Sequence, residues 1–291
     1  MKETFGEKVF YACNYALLTL IGISCLLPLI HVASLSFSGN DAIMSGRVGL
    51  WPAEFTMRPY ENLLSGTRIM EAFRNSVVLT VVGTALNMVL TILAAYPLSR
   101  KSFFARRQFT LMIVFTMLFS AGLIPNYLLV NALGLIDSYW AIWLPGLVSA
   151  YNLLVLRTFF EGIPEELFES AKIDGCGDWR LVARIVLPLS LPVLATLSLF
   201  YGVGHWNSFF NVLIYINDPL KHNLSVLVQN MIRSQSLLQE ITFQDPEALK
   251  YVAEESIKSA GIVVMVLPML VVYPFLQRFF VKGVLIGSIK G

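Results

Sequence analysis

A chain of 291 residues with 56% hydrophobic side chains, 14% charged ones and a mean hydropathy of +0.67 departs from the soluble balance of roughly 45–50% apolar and about 25% charged residues. Its formal net charge of +2, with no block of five or six like charges, argues against a nucleic-acid partner. Cys13, Cys25 and Cys176 are odd in number, far apart and without a nearby His, which argues against a zinc site and reads as three free thiols.

The expected solvent is a bilayer, whose hydrocarbon core of about 30 Å takes about 20 apolar residues of α-helix to cross. Six stretches free of Asp, Glu, Lys and Arg are long enough to hold one helix each: Val9 to Asn40, Asn75 to Ser99, Gln108 to Ile136, Ser138 to Leu156, Ile185 to Asn217 and Ser259 to Gln277. The first exceeds a cleavable signal core and lacks a clean small-residue cleavage site, so it is expected to stay as a span. The fold class predicted is all-α, a polytopic membrane protein with six transmembrane helices in a single domain over residues 1–291.

Basic residues mark the cytoplasmic side. With both termini inside, 13 of the 21 Lys and Arg fall there, and Arg100, Lys101, Arg106 and Arg107 between spans two and three are the strongest group. That orientation leaves two long external segments, about 38–70 and 218–258. In the second, Leu224, Leu227, Val228, Met231 and Ile232 recur at helical spacing and predict an amphipathic helix, serving either packing or partner docking.

The segment of about 161–187 is the most informative. Pro164 followed by Glu165 and Glu166 starts a helix, Gly175 and Gly177 can end it through left-handed φ, and Asp178 can cap a second one. Pro188 is placed where span five begins. The helix, glycine turn and second helix present a small-residue surface at Ser170 and Ala171 beside the carboxylates of Glu169 and Asp174. That surface suits a groove on another protein, while a re-entrant structural loop would explain the same prolines and glycines.

The run Glu169-Ser170-Ala171, then Asp174-Gly175, then Ile185-Val186-Leu187-Pro188 resembles the "EAA" coupling motif of ABC-importer permeases, with Ser170 in place of the commoner Ala. The resemblance extends through Asn75-Ser76, the Ala95 to Arg100 run, Gly122-Leu123-Ile124-Pro125 and the ending from Gln277-Arg278 through Gly283 to Lys290-Gly291, and that ending is similar to MalG-like subunits of carbohydrate uptake transporter family 1. The Met44 to Pro52 run and Gly204 to Asn211 resemble its LplC-like branch.

The resemblance implies an ABC type I importer permease fold in the bacterial cytoplasmic membrane. It implies a second homologous permease, two ATPase subunits docked on the loop, an extracytoplasmic solute-binding protein and an oligosaccharide substrate. The alternative is a non-sugar solute of the amino-acid, metal or phosphate class. Glu169, Ser170, Ala171, Asp174, Gly175, Leu187 and Pro188 are then the ATPase-coupling residues. The chain lacks a G-x-x-x-x-G-K-[ST] loop, so ATP and Mg are expected in the partner ATPases, with no cofactor, metal or catalytic residue in this chain.

Amides beside aromatic rings are the means of binding a neutral sugar, and the spans hold almost no charge for a proton or sodium relay. Candidate pathway residues are Trp206, Asn207, Phe210 and Asn211 in span five, Tyr151 and Asn152 in span four, and Asn126 and Tyr127 in span three. Asn207 and Asn211, four apart, are expected to share one helix face; helix packing is the competing reading. His205 reads as a packing or hydrogen-bonding residue, and His31 and His222 are too remote to form a ligand set with it.

Overall fold

The computed structural model describes residues 4–242 and 255–288, with side chains described over 4–233 and 255–275. Lys2, Lys290, Gly291 and residues 243–254 of the second long segment lie outside the described residues, as do the side chains of the Gln277 to Gly283 run. Regular structure among the described residues is helical: α1 Phe5–Ser36, α2 Asn40–Met44, α3 Arg58–Gly66, α4 Ile69–Ser99, α5 Arg106–Leu118, α6 Leu123–Ala132, α7 Trp140–Trp143, α8 Ala150–Glu161, α9 Glu165–Ile173, α10 Asp178–Leu181, α11 Leu187–Leu189, α12 Leu191–Trp206, α13 Phe209–Tyr215, α14 Leu224–Thr242 and α15 Glu255–Ser288.

α1, α4 and the Glu255–Phe275 part of α15 are each long and apolar enough to cross a bilayer. Three further crossings arise only when a bent pair counts as one span: α5 with α6 at 113°, Trp140–Gly146 with α8 at 50°, and Asp178–Leu189 with α12 at 84°. The expectation of one helix per charge-free stretch is therefore corrected for spans three, four and five. In span three Phe119 is extended, Gly122 takes φ +84° and Pro125, in the first turn of α6, has no N–H to give the preceding turn. Span four breaks at the Leu144–Gly146 3-10 turn and restarts at Ser149, whose hydroxyl accepts the Asn152 N–H at 3.4 Å. Span five bends at Ser190, followed by Pro192 in the first turn of α12.

The described chain forms two compact units, Met1–Met70 with Leu227–Leu267, and Glu71–Val226 with Pro268–Gly291. In the first, α1 leaves nearly all of its apolar side chains from Phe5 to Ile30 uncovered, as suits a helix solvated by lipid tails. Its far end is polar and tied back to the following loop: His31 Nδ1 lies 2.9 Å from Gly49 O, Ser34 donates to Leu50 O at 2.6 Å, and the hydroxyls of Ser36 and Tyr60 are 2.9 Å apart. Gly261 of α15 packs on Val228 and Met231 of α14 and Leu63 of α3. The buried side chains of Leu224 and Val228 fit the packing reading of the amphipathic helix.

In the second unit, Leu79, Ile142, Trp143, Val212 and Ile216 form one core, with the Trp143 indole donating to Leu79 O at 3.2 Å. The turn before α7 is locked by Asp137, a non-glycine residue at φ +64°. Its carboxylate accepts the N–H groups of Asn217 and Asp218 at 3.1 and 3.0 Å and pairs with Lys221 at 2.9 Å. A larger core joins Ala95, Leu156 and Phe160 to Phe168, Ala171, Leu181 and Val186.

Candidate functional site

The helix-turn-helix around α9 is built as its residues predict at the first helix and differently at the second. Pro164 stands at the N-cap, Glu165 and Glu166 fill the first turn, and Lys172 lies in the last. Gly175 takes φ +74°; its N–H bonds Lys172 O at 3.0 Å and the next N–H, of Cys176, bonds Ala171 O at 2.9 Å, a paired closure that requires left-handed backbone. Gly177 does not share that role: at φ −72° it is extended. Asp178 is the first residue of α10, with no side-chain cap, so its expected capping is corrected.

Ala171 does not lie on an exposed small-residue surface. It is buried with Phe168 against Ala95, Leu156 and Phe160, because α9 needs a small side chain where it rests on the membrane helices; Ser170 alone of the pair is exposed. The Arg100 guanidinium sits 3.6 Å from the centroid of the Phe168 ring. Arg100 and Lys101 also face Glu165 at 3.9 and 4.0 Å, while Arg106 and Arg157 share the Glu161 carboxylate. The basic loop thus clamps both ends of the turn that leads into α9.

With its inner face so held, the element leaves Ile173 86% and Trp179 76% exposed, beside exposed Glu169 and Asp174. Among the described residues neither of those carboxylates has a hydrogen bond or ion pair. Two large apolar side chains and two unpartnered acids on a rigid mount form a surface that fits a complementary protein face. Farther on, Val186 is buried, Leu187 half-buried and Pro188 exposed. Pro188 lies in α11, ahead of the 84° bend, so the long helix of span five begins at Leu191 and not at Pro188.

The span-five patch is reorganised. α12 ends at Trp206 and α13 starts at Phe209, with the Phe209 N–H closing on Asn207 O at 2.7 Å. Asn207 and Asn211 therefore do not share one helix face, since that expectation assumed an unbroken helix. Trp206 is buried and meets Phe73 edge-on at 6.1 Å, whereas Asn207, Phe210 and Asn211 are exposed. The two amides have no side-chain hydrogen bond among the described residues. Asn152 is buried in the first turn of α8 and Tyr151 is exposed; Asn126 is exposed, and Tyr127 stacks on Tyr215 with centroids 6.1 Å apart. No hydrogen bond or ring contact among the described residues joins Asn207, Phe210 or Asn211 to Asn126, Tyr127, Tyr151 or Asn152.

His205 is a hydrogen-bonding residue, with Nε2 2.7 Å from Asn87 Oδ1. Among the described residues no three His, Cys, Asp or Glu side chains gather as metal ligands. Sequence reasoning missed Phe168, Ile173 and Trp179, although Phe168 and Ala171, three apart, already mark the inner face of α9. It also missed Asn87 and Thr91, whose spacing of four in line with Thr80 and Thr84 of the same span was the available signal.

The described residues are all-helical, with up to six spans and a helix-turn-helix mounted beside a basic loop, the architecture of a polytopic membrane protein. Residues 87–286 match the family described as binding-protein-dependent transport system inner membrane component, and the chain belongs to that family. It is a transport permease and a multi-pass membrane protein, in a family whose role is non-catalytic. Among its relatives, the polygalacturonan/rhamnogalacturonan transport system permease protein YtcP of Bacillus subtilis is 43% identical over 98% of this chain and 99% of its own. Protein LplC of Bacillus subtilis is 41% identical over 100% and 98%. A chain from the crystal structure of a bacterial ABC transporter that imports the acidic polysaccharide alginate superposes with a TM-score of 0.87 at 28% identity, over 96% of this chain and 99% of that one.

Proposed function

We propose that this chain is one of two homologous permeases in an ATP-driven importer of an oligosaccharide, with the α9 element as the dock for a separate ATPase subunit. The observation that carries the docking assignment is the mount: Phe168 and Ala171 fix α9 to the membrane core while Glu169, Ile173, Asp174 and Trp179 remain uncovered. Glu169, Ser170, Asp174 and Trp179 meet the ATPase in this reading; Ala171, Gly175, Leu187 and Pro188 shape the mount. ATP and its Mg belong to the partner subunits, and an extracytoplasmic binding protein delivers the solute.

The names of the relatives support a sugar over an amino acid, a metal or phosphate. The exposed, unpartnered amides of Asn207 and Asn211 support a polar solute path through span five, with Trp206, Phe210, Tyr151, Asn152, Asn126 and Tyr127 as its further candidates. Both termini face the cytoplasm in this reading, which the basic loop of Arg100, Lys101, Arg106 and Arg107 supports. The whole of 1–291 acts as a single transmembrane domain.

The assembled importer in nanodiscs should hydrolyse ATP faster when its binding protein is loaded with oligogalacturonides than with amino acids or phosphate. Faster turnover with a non-sugar solute alone would remove the sugar assignment. A Cys placed at Met44 should react with an impermeant reagent from outside, and one at Ser102 should not; the reverse pattern would overturn the orientation.

A further inference from the structure

Two polar rungs join the middle of α4 to α12, and both end on the break in span four. Asn87 donates its amide nitrogen to Gly146 O at 2.5 Å and Leu147 O at 3.0 Å. That use of the nitrogen fixes Oδ1 as the acceptor, so His205, 2.7 Å away, donates from Nε2–H. One turn along each helix, the hydroxyls of Thr91 and Tyr201 are 2.8 Å apart, and Tyr201 also accepts the Ser149 N–H at 3.1 Å. Residues 87 and 91, and 201 and 205, are four apart, so each pair occupies one face of its helix.

The fit between the helices is close. A Cβ at Gly83 would lie 2.6 Å from His205 Nε2, and one at Gly202 would lie 3.6 Å from Thr84 Oγ1. Glycine at 83 therefore leaves the space that the imidazole fills.

We propose that the Asn87–His205 and Thr91–Tyr201 rungs hold the span-four break open in its bent form, with His205 and Tyr201 as positioning residues for the transport pathway. The groups they engage are the Gly146 and Leu147 carbonyls and the Ser149 N–H, which a straight helix would satisfy within itself and a broken one cannot. The rungs thus recognise the bend and not merely the helix. α8 starts at this break, so its direction, and with it the placement of Tyr151 and Asn152, follows from the rungs. Tyr201 also lies in the core that contains Phe168 and Ala171 of α9, so a displacement of α9 has a packed route to the break. The link to transport rests on the importer reading above; the bend itself does not.

The test uses the full chain in nanodiscs, native cysteines replaced by alanine, with spin labels at Trp140 and Thr158 on either side of the break. Asn87→Leu and His205→Leu should move the label separation to longer values as the break straightens, while His205→Gln, which keeps an N–H donor toward Asn87, should leave it near wild type. Gly83→Ala should reproduce the His205→Leu shift, and Gly83→Ala added to His205→Ala should change nothing further. The same variants in the assembled importer should lower the ratio of solute-stimulated to basal ATP hydrolysis by about the same rank order, with His205→Gln rescued. Unchanged separations in His205→Leu and Gly83→Ala would overturn the proposal. Because the distances need no solute, shifted distances in an importer that responds to no sugar would sink the importer reading and leave the rungs standing.

Discussion

The guanidinium of Arg100, just past the end of α4, lies over the ring of Phe168 in α9, 3.6 Å from its centroid, and with the Arg100 and Lys101 pairs to Glu165 it ties the basic loop to the element assigned to coupling. Phe168 is at the same time buried against Ala95, Leu156 and Phe160. Phe168→Ala should destabilise the chain by about 3–5 kcal/mol, with Phe168→Leu much milder. Arg100→Lys keeps the charge but loses the flat stacking surface, a change of about 0.5–1 kcal/mol. The order of thermal midpoints in detergent, wild type above Arg100→Lys above Phe168→Ala, checks the mount.

Gly175 and Gly177 separate backbone need from composition. At φ +74° Gly175 resists any side chain, by about 1 kcal/mol or more, and a β-branched one most. Gly177 at φ −72° has open space around it and should accept Ala. Gly175→Val should reduce recovery of the ATPase with the permease while membrane levels hold, and Gly177→Ala should match wild type. Equal recovery for the two variants would remove the turn from the docking account.

The Asp137 lock should respond to acid. The carboxylate is held below its ordinary range by the Asp218 N–H first, then by Lys221, with the Asn217 N–H adding to it. A depressed value means that its contribution is present above the unfolded value of about 3.9 and is lost as pH falls through the lower folded value. Hydrogen-exchange protection of the Asn217 and Asp218 amides should therefore persist at pH 5 and fade below about pH 4, and Asp137→Asn should lower it at pH 5 and above, with the two proteins converging in acid. Protection that is the same in both proteins at pH 5 and above would show that the carboxylate does not hold this turn.

Asn207 and Asn211 test the pathway. If each amide holds a sugar hydroxyl, truncation removes about 0.5–1.5 kcal/mol, a change of about 2- to 10-fold in the binding-protein-dependent ATPase response. Asn207→Ala and Asn211→Ala should also alter the ranking of two competing oligosaccharides while basal hydrolysis and assembly hold. An unchanged ranking in well-assembled variants assigns the amides to packing.

The features legible in the sequence were those set by local chemistry. Pro164, the acids after it and Gly175 bound a short helix wherever it packs, and charge-free windows of about 20 residues find spans because burying charge in lipid is costly. The bends at Phe119 to Gly122, at Ser190 and at Asn207 were not legible, because apolarity summed over a window is indifferent to the direction of the helix axis. The same assumption of continuity placed Asn207 and Asn211 on one face. Ala171 was placed on the surface because the side of α9 that meets the bundle is set by Phe160, across the turn at Gly162, and by Ala95, 76 positions away in sequence. The partner of Asn87, 118 positions distant, was hidden for the same reason.

The central claim, that α9 and the following turn are the surface on which the ATPase docks, is tested most directly by a photo-crosslinking residue placed in turn at Ile173, Trp179 and Tyr15 of the assembled importer. All three positions are exposed, but Tyr15 lies on the lipid-facing length of α1. Adducts with the ATPase subunit from Ile173 and Trp179, and none from Tyr15, are the predicted result; an intact complex in which neither Ile173 nor Trp179 yields an ATPase adduct would contradict it.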